Sequence, residues 1–272
     1  VEDIPPQDIS PQDLAMTLLG AYVPDREQAL VWAGGLVALL TEFGCTQNAA
    51  RVALSRMVQR DLLERERDGR LVRYRLTKRT RDALAEGDRR IFRFGEQPES
   101  VDCWTVLWHA IPDERRDARR RLAVRLRFLG FGSVQDGLWL AARDREAEVA
   151  ALLAELRVER HAGLLTGKPS RIVDVRAAVA RAWDLDELAE RYRRFVHTYR
   201  GVEPAVLDPA AAFGIRTRMT HEFRQYPLLD PELPARLVPP PAARADAVAV
   251  FHELYPALAP AAQRYFDEVI TP

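Results

Sequence analysis

Between Leu30 and Leu76 the chain carries a pattern that few folds accommodate. Two stretches of helical period, parted by a short glycine-bearing turn, run directly into two strand-like runs that flank an Asp-Gly pair. The first stretch, Leu30 to Phe43, sets Trp32, Leu36, Leu39 and Leu40 on one side and meets a stop at Gly44. Thr46 then offers a cap for a helix to about Arg60, so that Glu42 to Thr46 has the length of the turn in a helix-turn-helix. Leu62 to Arg67 and Leu71 to Leu76 follow as strands about Asp68-Gly69, a tight-turn dipeptide. Upstream, Pro11 to Val23 reads as a helix with Ser10 as N-cap and Leu14, Leu18 and Leu19 at helical spacing. Three helices and a hairpin in this order predict a winged helix-turn-helix.

The charge distribution says what such a unit would meet. Lys plus Arg and Asp plus Glu both number 40, yet residues 1–45 hold one base and seven acids while residues 46–81 hold eleven bases and four acids. A local block of arginine can neutralise phosphates and release counterions whatever the net charge of the whole. On the third helix Ala50, Leu54, Met57 and Val58 can pack inward, and Gln47, Asn48, Arg51, Val52, Ser55, Arg56 and Gln59 fall on the outer side. Those polar residue types can hydrogen-bond base edges in a major groove, although a solvated face is the commoner meaning of such a pattern. In the hairpin, Val72, Tyr74 and Leu76 alternate with Arg73 and Arg75, and Arg67 and Arg70 sit at the tip. Arginine there suits phosphate or minor-groove contact, and the alternative is a charged edge that blocks strand aggregation.

Thr77 caps a further helix to about Phe94, and residues 95–100 read as a linker. Trp104 to Ala110 is strand-like, Asp113 to Leu129 an Arg-rich amphipathic helix, Gly132 to Val134 and Leu138 to Ala141 short strands about Asp136-Gly137. Arg145 to Glu155 is a helix and His161 to Thr166 a last strand. The order βαββαβ is that of a ferredoxin-like domain. From Val173 the pattern is helical and broken by prolines: Val175 to Trp183, Leu185 to Tyr199, Pro209 to Arg224, Ala243 to Leu258 and a short terminal helix. The expected class is α+β, with a winged helix-turn-helix and its following helix at 1–96, a ferredoxin-like βαββαβ domain at 97–172 and an all-helical domain at 173–272.

The combined pattern resembles the phenylacetic-acid catabolism repressor family, called PaaX-like. The resemblance rests on Arg51-Val52-Ala53-Leu54-Ser55-Arg56-Met57-Val58, Tyr74-Arg75-Leu76-Thr77, Leu129-Gly130-Phe131-Gly132-Ser133-Val134 and Gly137-Leu138-Trp139-Leu140. Tyr192-Arg193-Arg194-Phe195, His221-Glu222-Phe223-Arg224 and Asp230-Pro231-Glu232-Leu233-Pro234 extend it over almost the whole chain. It implies a homodimeric repressor, bound to double-stranded operator DNA through the third helix and released by an aryl- or acyl-coenzyme A thioester held by the C-terminal region. For that effector Arg193, Arg194, Arg218 and Arg224 could meet phosphates, and Trp183, Tyr192 and Tyr226, with His221 nearby, an aromatic acyl group. Ordinary helix packing and surface ion pairs are the competing account of these residues.

The main rival is a nucleic-acid-processing enzyme, since the central domain also looks similar to that of small CRISPR-associated nucleases. Asp102, just before Trp104, could hold a metal there, but such cleavage relies on several oxygen ligands. His221-Glu222 lacks the second helical histidine of a zinc protease, and the five histidines are widely spaced. No catalytic residue, metal or cofactor is expected, and Cys45 and Cys103 are too isolated for a disulfide framework or a zinc site. No stretch has the ~18 apolar residues of a membrane span and the start is acidic rather than signal-like, which makes the cytoplasm the expected compartment.

Overall fold

The computed structural model of the chain describes residues 10–96, 103–170, 172, 174–235 and 237–272, the side chain of Asp68 excepted. Asp102 and most of the expected linker lie outside the described residues.

Helix α1 spans Pro11–Tyr22. Ser10 holds the N-cap position without a side-chain hydrogen bond. Pro11 therefore starts the helix, its preset φ and missing N–H costing nothing at a first turn. The expected helix from Leu30 begins later: Val31–Trp32 (β1) is extended and α2 is Ala33–Glu42. Val31 pairs with Tyr74 and Trp32 with Arg73, which adds a third strand to the hairpin. β-branched and aromatic residues suit that setting. The Trp32 ring then occupies the space beside Gly34, where a Cβ would fall 2.4 Å from it.

Helix α3 (Gln47–Gln59) leads into β2 (Leu63–Asp68) and β3 (Leu71–Leu76), in a sheet of order β1-β3-β2. Cα partners run from Leu63↔Leu76 to Asp68↔Leu71, so the loop residues are Gly69 and Arg70, one position later than Asp68-Gly69. Gly69 alone of the two takes a positive φ, +59°, the pattern of a type II′ turn with glycine first. Helix α4 (Lys78–Arg93) follows, capped by Thr77, whose hydroxyl accepts from the Thr80 N–H at 3.2 Å.

A second sheet holds β4 (Trp104–His109), β5 (Gly132–Gln135), β6 (Leu138–Ala141) and β7 (Ala162–Gly167), with α5 (Arg116–Phe128) and α6 (Glu146–Leu156) between them. Its order β5-β6-β4-β7, every pairing antiparallel, is the ferredoxin-like arrangement. Leu107, Trp139 and Ala141 on one face pack with Leu122 and Leu126 of α5 and Val149, Leu152 and Leu153 of α6. On the other face Trp104 and Leu140 meet Val179 of α7 (Arg176–Ala182) and Trp183. Gly137 is obligatory in the β5–β6 turn, because its φ is +73° and a Cβ would lie 2.5 Å from the His109 carbonyl oxygen.

The remaining helices are α8 (Leu185–Tyr199), α9 (Pro209–Phe223), the short α10 (Tyr226–Leu229) and α11 (Arg244–Ile270). Helix α11 is one element through Pro256 and Pro260, where the sequence suggested a break after Leu258. Buried Phe251, Leu254, Leu258, Ala262 and Phe266 form a single stripe across both prolines. Packing along that stripe offsets the two interior prolines, each of which costs a helix about 3 kcal/mol through its lost hydrogen bond and the clash of its ring with the carbonyl four residues back.

Two compact units result. The first draws on the described residues within Val1–Arg93, Phe195–Arg224 and Val248–Pro272, the second on those within Phe94–Arg194 and Gln225–Ala247. In the first, Tyr22 of α1 stacks on Phe266 of α11 at 5.0 Å and contacts Phe213 of α9 at 5.1 Å. No described helix is long and apolar enough to cross a membrane.

Candidate nucleic-acid interface

Helix α3 begins where Thr46, extended at φ −69° and ψ 149°, turns its hydroxyl to accept from the Ala49 N–H at 3.1 Å. The cap satisfies one of the four N–H groups a helix start leaves without a partner. Ala50, Ala53, Leu54 and Met57 are buried. Ala53 does the inward work expected of Val58, which is only half-buried. Gln47, Asn48, Arg51, Val52, Ser55, Arg56 and Gln59 are all exposed and share the opposite half of the helix at 3.6 residues per turn. Arg51 is steadied within this face by donating to the Gln47 amide oxygen at 3.3 Å.

The wing has two unlike faces. Leu63, Arg65 and Arg67 of β2 lie opposite Leu76, Tyr74 and Val72 of β3 on one side. Glu64 and Glu66 lie opposite Arg75 and Arg73 on the other. Arg75 donates from Nε to Glu66 Oε1 at 2.8 Å and stands 2.7 Å from it through Nη2. Arg73, in the central strand, is half-buried. Arg65, Arg67 and Arg70 are exposed, and none forms an ion pair or hydrogen bond among the described residues. Of these, Arg65 is not among the residues expected from the sequence to meet DNA, and Arg67, expected at the tip, lies within β2. Counting by twos from buried Leu63 is the signal that finds both.

Tyr74 connects the first wing face to α3. It lines a cavity of about 260 Å³ with Ala33, Gly34, Val37, Ala38, Gln47, Arg51 and Leu54. Burial pushes the Tyr74 hydroxyl up from its ordinary pKa, and the charge of Arg65 opposes that rise. The groove beside α3 is therefore walled by small apolar side chains and rimmed by Arg51, Gln47 and the wing.

The residues suggested for an effector fall in both units. Trp183, Tyr192, Arg193, Arg194 and Tyr226 belong to one and Arg218, His221 and Arg224 to the other. Trp183 packs at Gly132, where a Cβ would lie 2.6 Å from its ring. Tyr192 is fully buried and donates to Asp230 Oδ2 at 2.7 Å, an oxygen that also accepts from Arg244 at 2.8 Å. Its ring lies 4.5 Å from that of buried Tyr226, whose hydroxyl donates to the Arg191 carbonyl at 3.1 Å. Arg193 pairs with Glu190 at 2.8 Å and Arg194 with Glu187 at 3.3 Å. Arg218 lies over the Phe43 ring at 5.2 Å. His221 Nδ1 is 2.9 Å from the Thr17 hydroxyl, which also accepts from Arg224 at 2.7 Å. Each thus has an ordinary packing, hydrogen-bonding or ion-pairing role. Among the described residues no group of three or more His, Cys, Asp or Glu side chains could hold a metal ion.

A capped helix with a polar outer face, set beside a hairpin that exposes Arg65, Arg67 and Arg70, defines the winged helix-turn-helix class, here in one chain with a ferredoxin-like domain. Comparison with known proteins narrows the class. Residues 10–80 match the PaaX-like protein family, 98–179 the PaaX protein central Cas2-like domain and 183–268 the PaaX-like protein C-terminal domain. The chain belongs to the PaaX-like family. It is 28% identical over 249 residues, covering 88% of this chain and 77% of the relative, to the transcriptional repressor PaaX of Escherichia coli (strain K12). Among solved structures the uncharacterized protein Rv0674 from Mycobacterium tuberculosis shares the fold, with a TM-score of 0.53 and 24% identity over 93% of this chain and 96% of that one.

Proposed function

We propose that this protein is a transcriptional repressor that reads double-stranded operator DNA with α3. The observation that carries the reading is the seven-residue face of α3, wholly exposed on a helix whose other side is locked into the core. The E. coli relative's role as a transcriptional repressor supports it. Arg51 and Ser55 carry discrimination on this reading. After selection of a preferred site from random DNA, Arg51→Ala and Ser55→Ala each weaken binding to that site by ~1–3 kcal/mol while binding to scrambled duplex changes little. Equal losses on both duplexes overturn the assignment.

The proposal extends to a homodimer on a partly palindromic site, because one recognition helix reads too few base pairs for specificity. Light scattering of the protein with its site gives two chains per duplex, and one chain per protected site counts against it. Family membership further suggests release by an aryl- or acyl-coenzyme A thioester. For a tenfold loss of site affinity the thioester must couple to DNA by ~1.4 kcal/mol, and DNA must then weaken thioester binding tenfold in calorimetry. A thioester panel that neither binds nor shifts DNA affinity removes the effector and leaves the DNA reading intact.

A further inference from the structure

Resting on the reading that α3 and the wing bind DNA, we propose that the wing meets backbone phosphates with one face only, through Arg65 and Arg67. The opposite face is an acid–base ladder that braces the hairpin and stays off the DNA.

The register makes the division. Side chains alternate across a strand, so Arg65 and Arg67 share the face of Tyr74 and Val72, whereas Glu64 and Glu66 share that of Arg73 and Arg75. Among the described side chains the second face sets two acids, Glu64 and Glu66, against two bases, Arg73 and Arg75, and it is closed by the Arg75–Glu66 ion pair at 2.7 Å. Drawing Arg75 to a phosphate exchanges one charge-assisted bond for another and leaves a carboxylate facing the polyanion. The first face has no such competition. Arg65 and Arg67 are exposed, and no carboxylate pairs with either among the described residues.

Position agrees with charge. Tyr74, the cross-strand partner of Arg65, lines the same cavity as Gln47 and Arg51, so this wing face opens on the N-terminal half of α3. The face is anchored by buried Leu63 and Leu76 at its base, with Arg65 one step and Arg67 two steps toward the tip. Two cations are thereby spaced along a stiff hairpin beside the helix that faces the bases. Phosphate contacts of this kind fix orientation and carry no sequence information.

The test is the salt dependence of binding to a fluorescein-labelled duplex of mixed sequence, followed by anisotropy with the full chain. Each phosphate contact contributes about 0.9 to the slope of log affinity against log salt. Arg65→Gln/Arg67→Gln should lower the slope by about 2, so that the affinity lost between 50 and 200 mM salt shrinks by about tenfold. Glu66→Gln/Arg75→Gln keeps the net charge and should lower the melting temperature without moving the slope. Arg120→Gln/Arg121→Gln removes two exposed charges from α5 and should also leave it unmoved. The proposal is overturned if the Arg65/Arg67 pair leaves the slope unchanged, if the α5 pair lowers it equally, or if the ladder pair lowers it as much. Absence of binding by the unaltered protein at low salt defeats the DNA reading itself, a separate result visible before any variant is compared.

Discussion

His221 shows how a residue that invites a catalytic reading is used up by packing. The Thr17 hydroxyl lies 2.9 Å from His221 Nδ1 and 3.1 Å from the Asp13 carbonyl oxygen, and it accepts from Arg224 at 2.7 Å. Burial, with the Arg224 charge adding to it and Asp13 opposing, holds the imidazole at a pKa of about 4 against an ordinary 6.5. The folded state therefore keeps His221 neutral where the unfolded chain takes up a proton. This stability is fully present above pH 6.5, falls as the pH drops and is gone near pH 4, a loss on the order of 3 kcal/mol. Denaturant titrations at pH 7.5 and 5 should show a smaller pH-dependent loss in His221→Gln than in the unaltered protein; equal losses would place the titration elsewhere. Arg216 is a second case. Only 4% exposed, it donates to the Tyr255 carbonyl at 3.0 Å and the Ala21 carbonyl at 3.3 Å and lies 4.0 Å from the Tyr255 ring. Removing it strands two acceptors and a stacking partner, so Arg216→Ala should cost about 2–4 kcal/mol, and Arg216→Lys should not restore it, having no planar fork. Full recovery by lysine would show that charge alone matters there.

At the scale of elements, what could be read from sequence depended on whether the signal was local. Helix α3 was legible because its cap, its buried positions and its polar face all lie within fourteen residues, Thr46 to Gln59. The ferredoxin-like order was legible because each strand is bounded by its own turn chemistry, as at Asp136-Gly137 between β5 and β6. Strand β1 was not, since Trp32 fits a helical period and only its pairing with Arg73, forty-one positions away, makes it extended. The continuation of α11 through Pro256 and Pro260 was likewise hidden, because local preference argues for a break and only burial of the stripe from Phe251 to Phe266 overrides it. The wing register slipped by one residue because Asp-Gly and Gly-Arg are both workable two-residue loops. The cap allows a direct check on α3. Thr46→Ala should destabilise the protein by about 1 kcal/mol and Thr46→Ser should recover most of that, a serine hydroxyl being able to accept from the Ala49 N–H in the same way. An alanine variant as stable as the unaltered protein would mean that water caps the helix equally well.

For the whole molecule, the consequence of the two-unit division is that the winged helix is not completed by its own segment of chain. Tyr22 is buried between Phe266 and Phe213, and its hydroxyl lies 2.8 Å from that of Thr217. Gln263 donates to the Tyr22 carbonyl at 3.0 Å, Tyr265 donates to Glu42 at 2.9 Å, and Gly35 is so close to Val269 that a Cβ there would fall 2.5 Å from its carbonyl oxygen. All these partners come from Phe195–Arg224 or Val248–Pro272, more than a hundred positions downstream. Sequence periodicity reports that α9 and α11 have apolar faces but not which helices they cover, and for that reason the association was not readable. A segment ending at residue 96 would expose the inner surface of α1 and leave the Tyr22 carbonyl without its amide donor. Expressed alone, residues 1–96 should bind a hydrophobic dye and show no cooperative thermal transition, while the full chain melts cooperatively. In the full chain Phe213→Ala should cost about 3–5 kcal/mol, the range for truncating a buried aromatic. Should residues 1–96 instead unfold cooperatively within a few degrees of the full chain, the downstream helices would be an attachment to an already complete winged helix rather than part of its core.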